Sequence, residues 1–185
     1  MTPTRIMFIR HAEKPDKGIS QGVTGSGSND SGSITPRGWQ RAGALVRYFC
    51  PLKEPAPEDS MKPRAIFAAA VDDGDPSERS QETVTPLFEY LKTEGPVDFV
   101  TTHQKTDHQG LIDDLLQHNG IVLVAWEHKQ IPALIACLPD APVTPTEWPD
   151  SRLYVTLVLD QNAGGWRFSQ VPQLLLAGDS PAPIE

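Results

Sequence analysis

Ile121-Val122-Leu123-Val124-Ala125-Trp126 is a run of six apolar residues without a polar interruption. A strand with one wet face would alternate, so this run describes a strand covered on both faces, as in the centre of a parallel sheet. Asn119-Gly120 ends the helical pattern before it, and Glu127-His128 follows it directly. Working outward, Arg5 to Ile9 reads as a second buried strand, ended by Arg10-His11. Arg64 to Ala69 and Val97 to Thr101 read as two further strands, the latter weaker. Between them lie helical patterns. Thr35 can cap the first, Pro36 suits its first turn, and Trp39, Ala42, Leu45, Val46 and Phe49 recur at helical spacing before Pro51. The segment Asp75-Pro76-Ser77-Glu78 predicts the start of the second, with Asp75 as cap and Glu78 reaching back to it. Val84, Leu87, Phe88 and Leu91 form its apolar face, and Gly95-Pro96 stops it. Leu111, Ile112, Leu115 and Leu116 mark a third helix, and Pro132 to Leu138 a short fourth. Leu153 to Leu159 and Trp166 to Val171 pair around the turn Asn162-Ala163-Gly164-Gly165.

Strand and helix alternate through most of the chain. That pattern predicts an α/β fold: a three-layer domain with a mainly parallel central sheet and helices on both faces. One domain over residues 1–177 accounts for the length of 185 residues, which suffices for a proper core. The Gly- and Ser-rich stretch 18–33 reads as a flexible loop, and the Pro-rich residues 178–185 as a disordered tail.

A net charge of −8 argues against nucleic acid as a partner, although two or three arginines can still make one local anion pocket. No apolar run reaches bilayer length, which predicts no membrane partner. Ile6 to Ile9 is too short for a secretory core, and Arg10-His11 interrupts it. Cys50 and Cys137 read as buried thiols of a reducing compartment, so the expected location is cytoplasmic. The sequence sets no oligomeric state.

Arg10-His11 and His128 each follow a strand, and Arg79 sits in the first turn of a helix that follows another. Ligands of open α/β sheets bind beyond the carboxyl ends of the strands, so these segments converge on one edge. Arginine matches phosphate oxygens with a planar fork of donors, and a helix N-terminus adds backbone donors. Two histidines allow one to attack phosphorus while the other donates hydrogen bonds. Taken singly, each of these residues is more commonly an ordinary polar side chain at a strand end. Their joint placement carries the reading.

Phe8-Ile9-Arg10-His11-Ala12-Glu13-Lys14 resembles the Arg-His-Gly signature of the histidine phosphatase superfamily, in the Arg-His-Ala-Glu-Lys variant. Thr35-Pro36-Arg37-Gly38-Trp39-Gln40-Arg41-Ala42 resembles its next helix start. Glu78-Arg79-Ser80-Gln81-Glu82-Thr83 resembles the segment with the second phosphate-clamping Arg, and Trp126-Glu127-His128 the second catalytic His. The matches keep the family order up to about residue 138. The resemblance implies a phosphoglycerate mutase-like fold and a covalent phosphohistidine at His11, with Arg10, Arg79 and His128 holding the phosphate oxygens. It implies no cofactor and no metal. The expected activity is hydrolysis of a phosphorylated small molecule or a phosphoprotein. Arg37 and Arg41 are not carried over and read as helix surface.

The general acid is open between Asp107, which also reads as a helix cap, and Glu127, which strand alternation could turn away from His128. Glu13, Asp72 and Asp73 are weaker candidates. His103, Asp107 and His108 have no strong zinc spacing and read as a polar loop. Two other functions remain as alternatives. A phosphomutase of the phosphoglycerate type would carry a Glu-containing segment after the second Arg, which is not found. A non-catalytic phospholigand-binding module would fit the unassigned acid.

Overall fold

A computed structural model describes residues 2–185. Six strands form one sheet: β1 (Pro3–Arg10), β2 (Ala65–Ala68), β3 (Asp98–Val100), β4 (Gly120–Trp126), β5 (Val155–Asn162) and β6 (Gly165–Pro172). Their order across the sheet is β3-β2-β4-β1-β5-β6. The first four in that order run parallel, while β5 and β6 close one side antiparallel. The fold is the α/β arrangement read from the sequence, with the expected hairpin around Ala163-Gly164.

Alternation along β1 and β4 divides the core. Ile6, Phe8, Val122, Val124 and Trp126 face one side, and pack with Leu111, Ile112 and Leu115 of α3 (His108–Leu115) and Ile131, Leu134 and Ile135 of α4 (Ile131–Ala136). Met7, Ile9, Leu123 and Ala125 face the other, against Leu45 and Phe49 of α1 (Pro36–Phe49) and Val84, Leu87 and Leu91 of α2 (Arg79–Glu94). The uninterrupted apolar run of β4 therefore serves two cores, one on each face. Among the described residues no helix is long and apolar enough to cross a membrane.

Thr35 caps α1 as read, accepting from the Gly38 amide at 3.2 Å. A side chain at position 38 would meet Ile34 Cβ at 2.8 Å and the Glu13 carbonyl at 3.0 Å, so the close approach of α1 to the loop after β1 requires glycine. The start of α2 differs from the expectation. Asp75 does not cap it, because the Asp72 carboxylate accepts from the Gly74 and Asp75 amides and ties 72–75 into its own turn. The helix begins four residues later, at Arg79.

Three further segments or residues make contacts beyond those expected. Stretch 18–33, read as a flexible loop, carries several hydrogen bonds. Val23 bridges to Asn29, the Val23 amide donates to Ile34, Trp39 Nε1 donates to the Val23 carbonyl at 2.8 Å, and the Glu78 amide donates to Gly32. Glycine and serine here shape a folded surface loop rather than a linker. Residues 178–185 are not a free tail. Ile184 is buried in the core on the α3 face, and Gln170 makes two hydrogen bonds to its backbone.

Arg41 is not on the helix surface either. It is 1% exposed and forks between two carboxylates, Glu13 at 2.9 Å and Asp179 at 2.8 Å. Asp179 also accepts from the Leu175 and Leu176 amides. One guanidinium thus ties together the loop after β1, helix α1 and the C-terminal segment. Arg37 does lie at the surface, half exposed, with Nε 3.4 Å from Glu13.

Breaking a buried ion network by removing one partner strands the others, at about 3–5 kcal/mol. Arg41→Ala is expected to lose stability in that range in denaturant unfolding, because buried Asp179 would keep only its backbone amides and Glu13 only the half-exposed Arg37. A loss below about 1 kcal/mol, the ordinary worth of a surface pair, would contradict the structural role assigned to Arg41.

Candidate active site

Strand pairing builds the site. Arg10 pairs with Trp126 in the parallel register of β1 and β4, and the His11 amide donates to the Trp126 carbonyl at 3.0 Å. Arg10-His11 and Glu127-His128 therefore leave the sheet side by side. Strand β2 is the next neighbour of β4, with Ala68 opposite Ala125, and the chain beyond it returns as α2 with Arg79 at its first turn. Thr83, one turn into α2, accepts from the Ala12 amide at 2.8 Å and donates to the Arg79 carbonyl at 2.6 Å. That link fixes the loop after β1 against the start of α2. Glu82 beside it is buried and accepts from the Ile34 amide at 2.7 Å. Its burial pushes the carboxyl up from its ordinary range.

A polar cavity of about 100 Å³ opens at this edge, lined by His11, Lys14, Arg79, Lys105, Glu127 and His128 among others. Cations and imidazoles from four separate segments thus surround a space of phosphoryl size, with the first turn of α2 adding its dipole.

His11 is almost fully buried, and its Nδ1 lies 2.8 Å from the Ala12 carbonyl. A carbonyl only accepts, so Nδ1 carries the proton and the lone pair sits on Nε2. Burial pushes the imidazole down to about 3; the bond to Ala12 opposes this, while Arg10, Arg79 and His128 add to it. The ring is neutral at physiological pH, the form in which Nε2 can attack. His128 is 2% exposed, and burial followed by Arg10 pushes its pKa down as well, against Asp150. Asp150 Oδ1 stands 2.7 Å from His128 Nε2, off the line of a formed hydrogen bond, and neither ring nitrogen has a hydrogen-bond partner.

Arg10 is 3% exposed and does not line the cavity. Its Nη1 donates to the Asp150 carbonyl at 2.6 Å, with the Arg152 carbonyl at 3.4 Å and that of Pro149 at 3.5 Å, while Nε has no partner. Arg79 donates from Nη2 to the Ser31 carbonyl at 2.9 Å, and its Nε is also unpartnered.

The two candidate acids separate. Glu127 lines the cavity, 3.5 Å from Lys105 Nζ. Asp107 does not line it. Asp107 caps α3 through the Gly110 amide and bonds His103 Nδ1 at 3.0 Å. Glu13 is committed to Arg41, and Asp72 to its turn. His103 spans Asp107 and Asp114, and His108 bonds Gln130, so the three residues weighed as a metal set are spread over separate partners. Sequence reading missed Lys14, Lys105 and Asp150. Lys14 followed the Arg-His signature directly and could have been included. Nothing local marks Asp150, which arrives from the long connection between α4 and β5.

Comparison with solved structures agrees with this architecture. A phosphoserine phosphatase variant from Entamoeba histolytica in complex with phosphoserine superposes with a TM-score of 0.51 at 13% identity, over 92% of this chain and 97% of that one. The phosphoglycerate mutase of Plasmodium falciparum gives 0.50 at 12% identity, over 100% and 96%. The alpha-ribazole phosphatase of Shigella flexneri gives 0.50 at 13%, over 95% and 99%. No protein-family model and no curated protein matches the chain. The chain has the mainly parallel α/β fold of these structures, a phosphoglycerate mutase-like fold.

The unfolded chain protonates His11 near pH 6.5, whereas the folded protein resists until about pH 3. Between those values the unfolded state binds more protons, so acidification favours unfolding. His11→Asn is expected to lose less stability than wild type between pH 7 and pH 4, measured by urea unfolding at each pH. A stability difference that stays flat across that range would count against a buried neutral imidazole.

Proposed function

We propose that this chain is a phosphohydrolase that needs no metal and acts on a phosphomonoester or a phosphorylated protein through a phosphohistidine at His11. One observation carries the reading. His11 is held neutral, with its proton fixed on Nδ1 by the Ala12 carbonyl, beside a small cavity lined by Arg79, His128 and three lysines.

In this reading the substrate phosphoryl group enters the cavity, where its oxygens meet Arg79 and His128, and the free edge of Arg10 lies behind His128, with Asp150 in front of it. His11 Nε2 attacks phosphorus, forming the N–P bond as the P–O bond to the leaving group breaks. The electron pair of that bond stays on the leaving oxygen, and Glu127 supplies its proton. Water then attacks the phosphohistidine, Glu127 takes the proton back, and inorganic phosphate leaves with His11 restored. Charge accumulates on the phosphoryl oxygens in both steps, and prearranged cations lower the barrier there. Glu127 is preferred over Asp107 because it lines the cavity and Asp107 is spent on capping α3 and bonding His103.

The test is phosphate release from a panel of aryl and alkyl phosphomonoesters, with chelator present. His11→Ala is expected to abolish turnover while far-UV circular dichroism is unchanged. A folded His11→Ala with wild-type turnover would sink the proposal.

Glu127→Gln makes a separate prediction. General acid catalysis contributes about 10²–10⁴-fold where the leaving group needs a proton. Alkyl esters are expected to slow by about that factor and aryl esters, whose leaving groups depart as anions, far less. Equal slowing of both series would remove Glu127 from the role of acid.

A further inference from the structure

The phosphate clamp is already confronted by an anion, and that anion belongs to the chain itself. Asp150 Oδ1 stands 2.7 Å from His128 Nε2 and 4.0 Å from Arg10 Nη2. Both partners are at least nine-tenths buried, and both carry orphaned polar atoms: Nε of Arg10 and the two ring nitrogens of His128. Buried donors without partners are rare and point to a ligand that completes them. The Asp150 side chain, by contrast, is 68% exposed, so it can turn into solvent without disturbing the core. Loss of hydration works against its ionisation, yet the charges of His128, Lys129 and Lys14 outweigh this and hold the carboxyl below its ordinary range. Those three residues all line the cavity.

The backbone of the same segment does something different. The carbonyls of Pro149, Asp150 and Arg152 take up Arg10 Nη1 alone. The opposite edge of the guanidinium, Nε and Nη2, is the planar fork that fits two phosphate oxygens, and no hydrogen bond occupies it. The strap orients Arg10 through its main chain, while its one carboxylate stands before the edge that remains.

We propose that Asp150 is a built-in competitor for phosphate and so a specificity-determining residue of the site: a phosphoryl group binds between Arg10 and His128 by displacing the Asp150 carboxylate. This rests on the phosphatase reading of the same site. A dianionic phosphoryl group, with three oxygens to share among the clamp, outbids a single carboxylate. A monoanionic carboxylate or diester brings no advantage over it and is turned away.

Titration calorimetry with inorganic phosphate, in a phosphate-free buffer at fixed ionic strength, tests this on wild type, Asp150→Asn and Asp150→Ala. Both variants keep the carbonyls that hold Arg10. Each is expected to bind phosphate at least about tenfold more tightly than wild type, a difference well within calorimetric reach. Unchanged or weaker binding in the variants, with wild type binding phosphate, would overturn the proposal. Weaker binding would make Asp150 a positioning residue for His128. If neither wild type nor variants bind phosphate, the phosphatase reading itself fails and this inference falls with it.

Discussion

The parallel pairing of β1 with β4 is the constraint on which the rest depends. Its register sets Arg10 opposite Trp126, and the His11 amide extends the ladder by one more bond to the Trp126 carbonyl. Two segments far apart in sequence therefore leave the sheet at the same height. A slip of one residue would turn Met7 and Ile9 toward the α3 face and send His11 to the opposite side. Two packed faces prevent that slip, because every residue from Ile6 to Ile9 is buried in one core or the other. Packing of apolar side chains, which performs no chemistry, thereby fixes where the imidazoles stand.

A second layer of constraint acts on the loop after β1. Ala12 is tied to Thr83, and Glu13 to Arg41, which is tied in turn to Asp179. Helices α1 and α2 and the C-terminal segment thus all hold the residues next to His11. The Ala12 carbonyl that fixes the imidazole proton is part of this frame. Its position is set by a hydroxyl and a buried ion network, neither of which touches the cavity. On the proposed reading such remote positions matter, because small errors in placing a nucleophile are expensive in catalysis.

Much of this was legible in the sequence, for physical reasons. Uninterrupted apolar runs identified the strands with two covered faces, and helical spacing identified α1 and the face of α2. Once strand ends were known, the edge shared by Arg10, His11, Arg79 and His128 followed from topology alone. The misreadings involve partners remote in sequence. Arg41 looks like any arginine on an amphipathic helix, and only the return of Asp179 buries it. Residues 178–185 look Pro-rich and free, and only Gln170 and the core around Ile184 hold them. Asp75 has the residue type of a helix cap, but Asp72, three residues earlier, takes the Gly74 and Asp75 amides and draws Asp75 into a turn of its own. Glu127 and Asp107 could not be ranked from spacing, since the choice turns on which side chain the cavity includes.

The clamp presents a general problem that this fold answers in a particular way. A site that must receive a dianion needs positive groups stripped of water, yet stripped cations without partners are costly. Burial does depress Arg10, and the nearby carboxylates only partly restore it. Backbone carbonyls offer a compromise. They satisfy donors with partial charges, so they steady the guanidinium without neutralising it. Arg10 has such carbonyls on one side only, and Arg79 likewise gives one nitrogen to the Ser31 carbonyl and keeps Nε free. Each arginine is thus held by one edge and left unsatisfied along another. On the phosphatase reading proposed above, that residual demand is what a phosphoryl group would meet.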